Sequence, residues 1–148
     1  MPIDEMPRPA ELAPISHILE TCLYVANLDR AREFYRRVLN FTTVFMDQRM
    51  CAMTVPGSAV LLLFKHGESL AGSPTPGGLI PPHGGQGVQH VCFAIPLAAL
   101  DGWAARLERE GVAIESRVVQ HYGGVSLYFR DPDEHSIELA VPGLWPNY

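Results

Sequence analysis

Hydrophobic positions along this chain alternate between two periods. From Ile15 to Val25 the residues are apolar with β-branched members, and successive ones fall on opposite sides, which predicts a strand. Leu28, Ala31, Phe34, Tyr35, Val38 and Leu39 then recur at helical spacing, with Asp29, Arg30, Arg32, Glu33, Arg36 and Arg37 between them and Asn27 placed to cap. Three short strands are predicted next, at 41–46, 49–55 and 58–65, the last two joined at Pro56-Gly57. A Gly- and Pro-rich segment follows at 67–86, and then the pattern restarts. A strand is predicted at 88–95. The helix at 97–110 has Leu97, Leu100, Trp103, Ala104 and Leu107 on one face and Gly111 past its end. Three more strands follow at 112–119, 124–130 and 136–141, with Asp131-Pro132-Asp133-Glu134 turning before the last.

The order strand-helix-strand-strand-strand therefore occurs twice, and the copies can be set in register. Placing Glu20 against His90, an offset of 70, puts Cys22 against Cys92, Leu23 against Phe93 and Val25 against Ile95. At the far end Leu62 stands against Glu138, an offset of 76, with Leu61 against Ile137 and Leu63 against Leu139. The expected fold is α+β, two βαβββ modules at 15–66 and 87–143. An irregular arm at 1–14 and a short tail at 144–148 flank them. A structureless loop as long as 67–86 is unusual in a compact domain, so it is expected to be a linker that also covers a site.

Strand parity adds chemistry to the repeat. Glu20, Cys22 and Tyr24 share one face of the first strand, opposite Leu19, Leu23 and Val25. His90, Cys92 and Ala94 share one face of the restart strand, and Glu138 and Ala140 one face of the last. A carboxylate in a largely apolar strand is costly unless it is paired or bound to a cation. Singly, Glu20 and Glu138 read as exposed strand residues and His90 as a hydrogen-bonded core histidine. In register, the three point to one convergence. Their donors suit Fe, Mn, Ni or Zn, and three protein ligands leave positions open for water or substrate.

Composition narrows the class. The 148 residues are 47% hydrophobic and 18% charged, enough for a packed core in one domain or two fused halves. A net charge of -5 without any Lys/Arg cluster argues against a nucleic-acid partner. The opening MPIDEMPRPAELAP lacks the charged and apolar regions of a secretory signal, and the longest apolar run, Ala59 to Phe64, is too short to cross a bilayer. Cys22, Cys51 and Cys92 are odd in number and form no CxxC pair, which predicts buried free thiols and a cytoplasmic setting.

HILETCLYVANLDRAREFYRRVLNF resembles the opening strand and helix of vicinal-oxygen-chelate proteins, the glyoxalase, bleomycin-resistance and extradiol-dioxygenase superfamily. VQHVCFAI resembles the second-module strand whose histidine is a metal ligand, and SLYFRDPDEHSIELAVPG the closing hairpin whose glutamate is another. The resemblance implies two modules whose mixed sheets curl into a shared cup, helices outside, with a divalent metal ion in the cup. Glu20, His90 and Glu138 would be its ligands. Leu62 falls where a fourth ligand commonly stands and cannot bind metal, which weakens a glyoxalase I assignment. The remaining set, one His and two Glu, departs from the two His and one Glu of extradiol and fosfomycin-modifying members. It shifts preference modestly toward Mn or Fe. Glu134 replaces the usual turn glycine.

The resemblance leads to a metal-dependent enzyme, dioxygenase-like or glyoxalase-like, acting on a small substrate that chelates the ion through adjacent oxygens. Glu20 would double as general base, and Tyr128, in an S-L-Y-F pattern similar to that of fosfomycin-type members, would donate a hydrogen bond to a metal-bound oxygen. Tyr24, Leu62 and Phe64 would line the pocket, and Tyr122 would reach its mouth from a loop. A homodimer is implied. His83 and His135 are expected at the surface, and His17 is a poor ligand candidate by parity. The alternative is a metal-free sequestering protein of the bleomycin-resistance type, with Tyr24, Phe64 and Trp145 stacking on a ligand. A purely structural role ranks below both.

Overall fold

A computed structural model describes residues 12–148. The first eleven residues of the expected arm lie outside the described residues. Strand β1 (Glu20–Val25) is followed by helix α1 (Leu28–Leu39) and strands β2 (Thr42–Met46), β3 (Met50–Val55) and β4 (Ala59–Lys65). A small hairpin, β5 (Ser73–Thr75) and β6 (Gly78–Ile80), occupies the Gly/Pro-rich segment. Then come β7 (His90–Ala94), α2 (Leu100–Arg109), β8 (Ser116–Val119), β9 (Val125–Arg130) and β10 (Ser136–Ala140).

Helix α1 forms where its spacing demands. Asn27 accepts a hydrogen bond from the Arg30 amide at 2.9 Å, and Asn40 ends the helix in the left-handed conformation. Leu28, Ala31, Phe34, Tyr35, Val38 and Leu39 are all buried. The α2 segment differs from expectation. Pro96 precedes a 3-10 turn at Leu97–Ala99, α2 begins at Leu100 without a side-chain cap, and Leu97 faces solvent. Only Leu100 and Leu107 of α2 are fully buried.

The two four-stranded sheets have matching orders, β1-β4-β3-β2 and β7-β10-β9-β8. In each, the first and last strands of a module pair in parallel: Glu20 opposite Val60 and Cys22 opposite Leu62 in one, His90 opposite Ser136 and Cys92 opposite Glu138 in the other. The repeat register is thus the register of the sheets. Strand β1 starts at Glu20, not Ile15, because ladder pairing with β4 begins where the Val60 amide bonds to Leu19 O. Residues 112–115 likewise precede β8 without joining a strand.

One apolar core joins the modules, combining Leu23, Tyr35 and Leu61 with Leu107, Phe129 and Ile137. Polar links reinforce it. The buried Tyr35 hydroxyl donates to Asp131 Oδ2 at 2.7 Å, and Arg106 donates to Val38 O and Arg37 O. His135, expected at the surface, is buried instead. It accepts from the Gln89 amide through Nδ1 and so carries its proton on Nε2, which donates to Tyr24 O at 2.7 Å. Glu134 has φ 65°, the left-handed conformation that a turn glycine would supply, which accounts for glycine in the resembling motif.

Candidate functional site

The polar face of the second module centres on His90 and Glu138. Strand β7 carries His90 at its start, and the parallel ladder with β10 sets Glu138 two residues along, on the same face. His90 Nδ1 lies 2.9 Å from Ser136 O, a carbonyl that can only accept, so Nδ1 holds a proton, and in the neutral ring Nε2 presents a lone pair. That Nε2 stands 3.3 Å from Glu138 Oε2. Glu138 is buried, and its Oε1 has no hydrogen-bond partner. Two acceptor atoms facing each other, one on a buried carboxylate with an orphaned oxygen, call for a proton or a cation between them.

Tyr128 stands directly opposite Glu138 in the β9–β10 ladder, and its ring lies 6.4 Å from that of His90. Gln120 Nε2 donates to Ser126 Oγ at 2.9 Å and to Tyr128 Oη at 3.3 Å. Burial, with smaller help from the Glu138 carboxylate, raises the Tyr128 hydroxyl above the usual phenol range, so it stays a donor at neutral pH. Cys92, exposed rather than buried as expected, has its thiol pushed up to about 12 by desolvation first and Glu138 second.

Glu20 sits on the other module. It begins β1, is exposed, and lines a cavity of about 680 Å³ with Cys22, Tyr24, Leu62 and Phe64. Among the described residues, no three His, Cys, Asp or Glu side chains gather closely enough to hold an ion. Within the chain, therefore, His90 and Glu138 come together and Glu20 does not join them. The pocket residues Tyr24, Leu62 and Phe64 do line one cavity, but Tyr122 is exposed on its loop against His121 and is absent from that wall.

The cavity has a roof that sequence reading missed. The β5–β6 hairpin contributes Ser73, Thr75 and Ile80, so the segment at 67–86 is a structured cover and not a bare loop. His83, expected in solvent, shares a 2.6 Å hydrogen bond with the Tyr24 hydroxyl and sits edge-on to Phe64 with centroids 4.4 Å apart. Arg49 also lines the cavity. Neither has a sequence signal, because each meets its partners only across the fold.

A model of the glyoxalase/bleomycin resistance protein/dioxygenase superfamily matches residues 15–139. A catechol-2,3-dioxygenase of Bacillus subtilis is 29% identical over 84% of this chain, which spans only 41% of that relative's length. The metallothiol transferase FosB of Shouchella clausii is 27% identical over 81% of the chain and 76% of its own length. Among solved structures, a lactoylglutathione lyase from Agrobacterium tumefaciens superposes with a TM-score of 0.82 at 34% identity, covering 90% of this chain and 99% of that one. The duplicated βαβββ fold, the sheet register and these matches agree: the chain belongs to the glyoxalase/bleomycin resistance protein/dioxygenase superfamily.

Proposed function

We propose that this protein is a metal-dependent enzyme that acts on a small substrate able to chelate a divalent ion through adjacent oxygens. The observation that carries this reading is the His90–Glu138 pair. Ligand bonds of about 2.0–2.2 Å place two ligands of one ion roughly 3.0–3.4 Å apart, and the two facing atoms are 3.3 Å apart. The orphaned Glu138 Oε1 adds a second acceptor oxygen with nothing else to satisfy it. The set suits Fe, Mn, Zn or Ni, with the oxygen-rich donors modestly favouring Mn or Fe. Once bound, the ion would act as a Lewis acid toward the chelated substrate oxygens.

The chain's own residues do the rest. The Ser136 carbonyl fixes the His90 tautomer that leaves Nε2 free to bind. Tyr128, steadied by Gln120, offers its hydroxyl proton to a substrate oxygen. Glu20 would be the third ligand, and its carboxylate would also serve as general base. Because Glu20 does not reach the pair within the chain, we assign it to a homodimer, where a second copy brings Glu20 to this His90 and Glu138. Exposed Leu19, Val44, Phe45 and Val88 supply apolar surface for such a contact. The three free cysteines suit a cytoplasmic setting.

Metal analysis of protein purified without chelator, then reconstituted, tests the reading. Wild type should hold about one ion per site and His90→Ala should lose it. If neither wild-type sample holds an ion that His90→Ala loses, the enzyme reading fails and sequestration replaces it. Mixing Glu20→Ala with Glu138→Ala chains tests the assembly. A site shared between subunits regains metal in one site per mixed dimer, whereas a site within one chain regains none.

A further inference from the structure

Arg49 lies just before β3, held by a turn in which Asp47 Oδ1 accepts from the Arg49 and Met50 amides. Its side chain crosses to the hairpin roof, where Nη1 donates to Ser73 Oγ. Its Nε is buried and has no hydrogen-bond partner. Among the described residues, no Asp or Glu carboxylate forms an ion pair with Arg49, whereas Arg30, Arg32, Arg36, Arg37 and Arg130 each have one. A guanidinium is thus set into the wall of a cavity lined also by Phe45, Met50, Leu62, Phe64 and Ile80. A half-desolvated cation with a free donor is costly unless an anion arrives to meet it.

Strand register places this cation relative to Glu20. Met50 stands opposite Phe64, and Phe64 opposite Tyr24, in one row across the sheet. Thr54, Val60 and Glu20 form a second row. Four residues separate Tyr24 from Glu20 along β1, about 13 Å at strand rise. Arg49 and Glu20 therefore mark opposite ends of the cavity, with Leu62 and Phe64 between them. Asp47 also lines the wall, but two backbone amides share its Oδ1. The cavity volume falls within the roughly 300–1,000 Å³ usual for small-molecule sites.

We propose that Arg49, with Ser73, binds the anionic end of an elongated organic acid, carboxylate or phosphate, whose apolar body lies along Leu62 and Phe64 toward Glu20. Arg49 is then a specificity residue, one that selects charged over neutral molecules of the same shape. This deepens the substrate reading above, but anion binding at Arg49 does not itself require an ion.

Calorimetric titration of the full chain, stripped of metal with chelator, tests it with 4-phenylbutyrate and its neutral amide. Wild type should bind the carboxylate about tenfold more tightly than the amide, the scale of one charge-assisted hydrogen bond. Arg49→Gln should bring the ratio near one, and Arg49→Lys should keep part of it. Ser73→Ala, which leaves the guanidinium in place, should reduce the preference less than Arg49→Gln and serves if that variant does not fold. Equal affinity for acid and amide, no binding of the acid at millimolar concentration, or a preference that survives Arg49→Gln or is untouched by Ser73→Ala would overturn the assignment. Because metal is absent, none of these results bears on ion retention at His90, and loss of that retention would leave them standing.

Discussion

The two modules share a scaffold and differ in what it displays. Their parallel first and last strands pair in the same register, with Glu20 opposite Val60 where His90 is opposite Ser136. Two residues along, Leu62 holds the position that Glu138 holds in the copy. The first module keeps an open cavity beneath a hairpin, lined largely by apolar side chains. The second fills its polar face with Gln120, Ser126, Tyr128 and a buried carboxylate. Their helices differ too: α1 is capped by Asn27 and buries six residues, while α2 follows a 3-10 turn and buries two. The repeat supplies equivalent positions, and single side chains at those positions make one module's face polar and the other's largely apolar.

Erasing the difference at Glu138 should have the largest effect. Glu138→Leu gives the second module the residue of the first. Metal affinity should fall by more than the ~10–100-fold that outer-shell changes cost. The fold should survive, since an apolar side chain replaces an unsatisfied buried carboxylate. Metal content and thermal melting, measured together, separate these outcomes.

Next comes the join between modules. Tyr35→Phe strips a buried hydroxyl bond from Asp131 and should lower unfolding free energy by about 1–3 kcal/mol, read by urea denaturation. Asp131 also makes this region pH-sensitive. Burial raises its carboxyl above the usual range, only partly offset by Tyr35 and the His135 and Asp133 amides. The folded chain thus holds that proton to higher pH than the unfolded chain, so its stability falls as pH rises from the ordinary carboxylate range through the raised value. The stability of wild type relative to Asp131→Asn should decline over that window. A flat or rising difference would contradict the raised carboxyl.

The helices give the smallest tests. Asn27→Ala should cost about 1 kcal/mol by removing the α1 cap. Gly102 lies inside α2 with an ordinary φ, and a methyl there meets nothing within 4 Å. Gly102→Ala should therefore stabilise by roughly 0.4–1 kcal/mol, a gain for which α1, with no interior glycine, offers no counterpart. Denaturant midpoints of both variants would check the contrast.

Patterns with a fixed period were readable from sequence. The six apolar residues of α1 are the six that are buried, and the offsets of 70 and 76 reappear as sheet register. Glu138 and His90 do meet on one face. What escaped depends on partners distant along the chain. His135 meets Tyr24 and His83 meets the same residue from the roof, and nothing local marks either histidine as buried or bonded. Leu97 matched the helical period, yet the turn after Pro96 rotated it into solvent. Tyr122, expected at the mouth from its loop, is exposed and does not line the cavity of the first module.

The turn at Asp131–His135 has a further consequence. It presents Asp131 to Tyr35, Asp133 to the Ala26 amide and His135 to Tyr24 O, all in the opposite half of the chain. A module cut free at the 67–86 segment would leave these groups without their partners. The halves are copies in form, but each is part of the other's foundations. Neither could be returned to an independent existence without redesigning that one short corner.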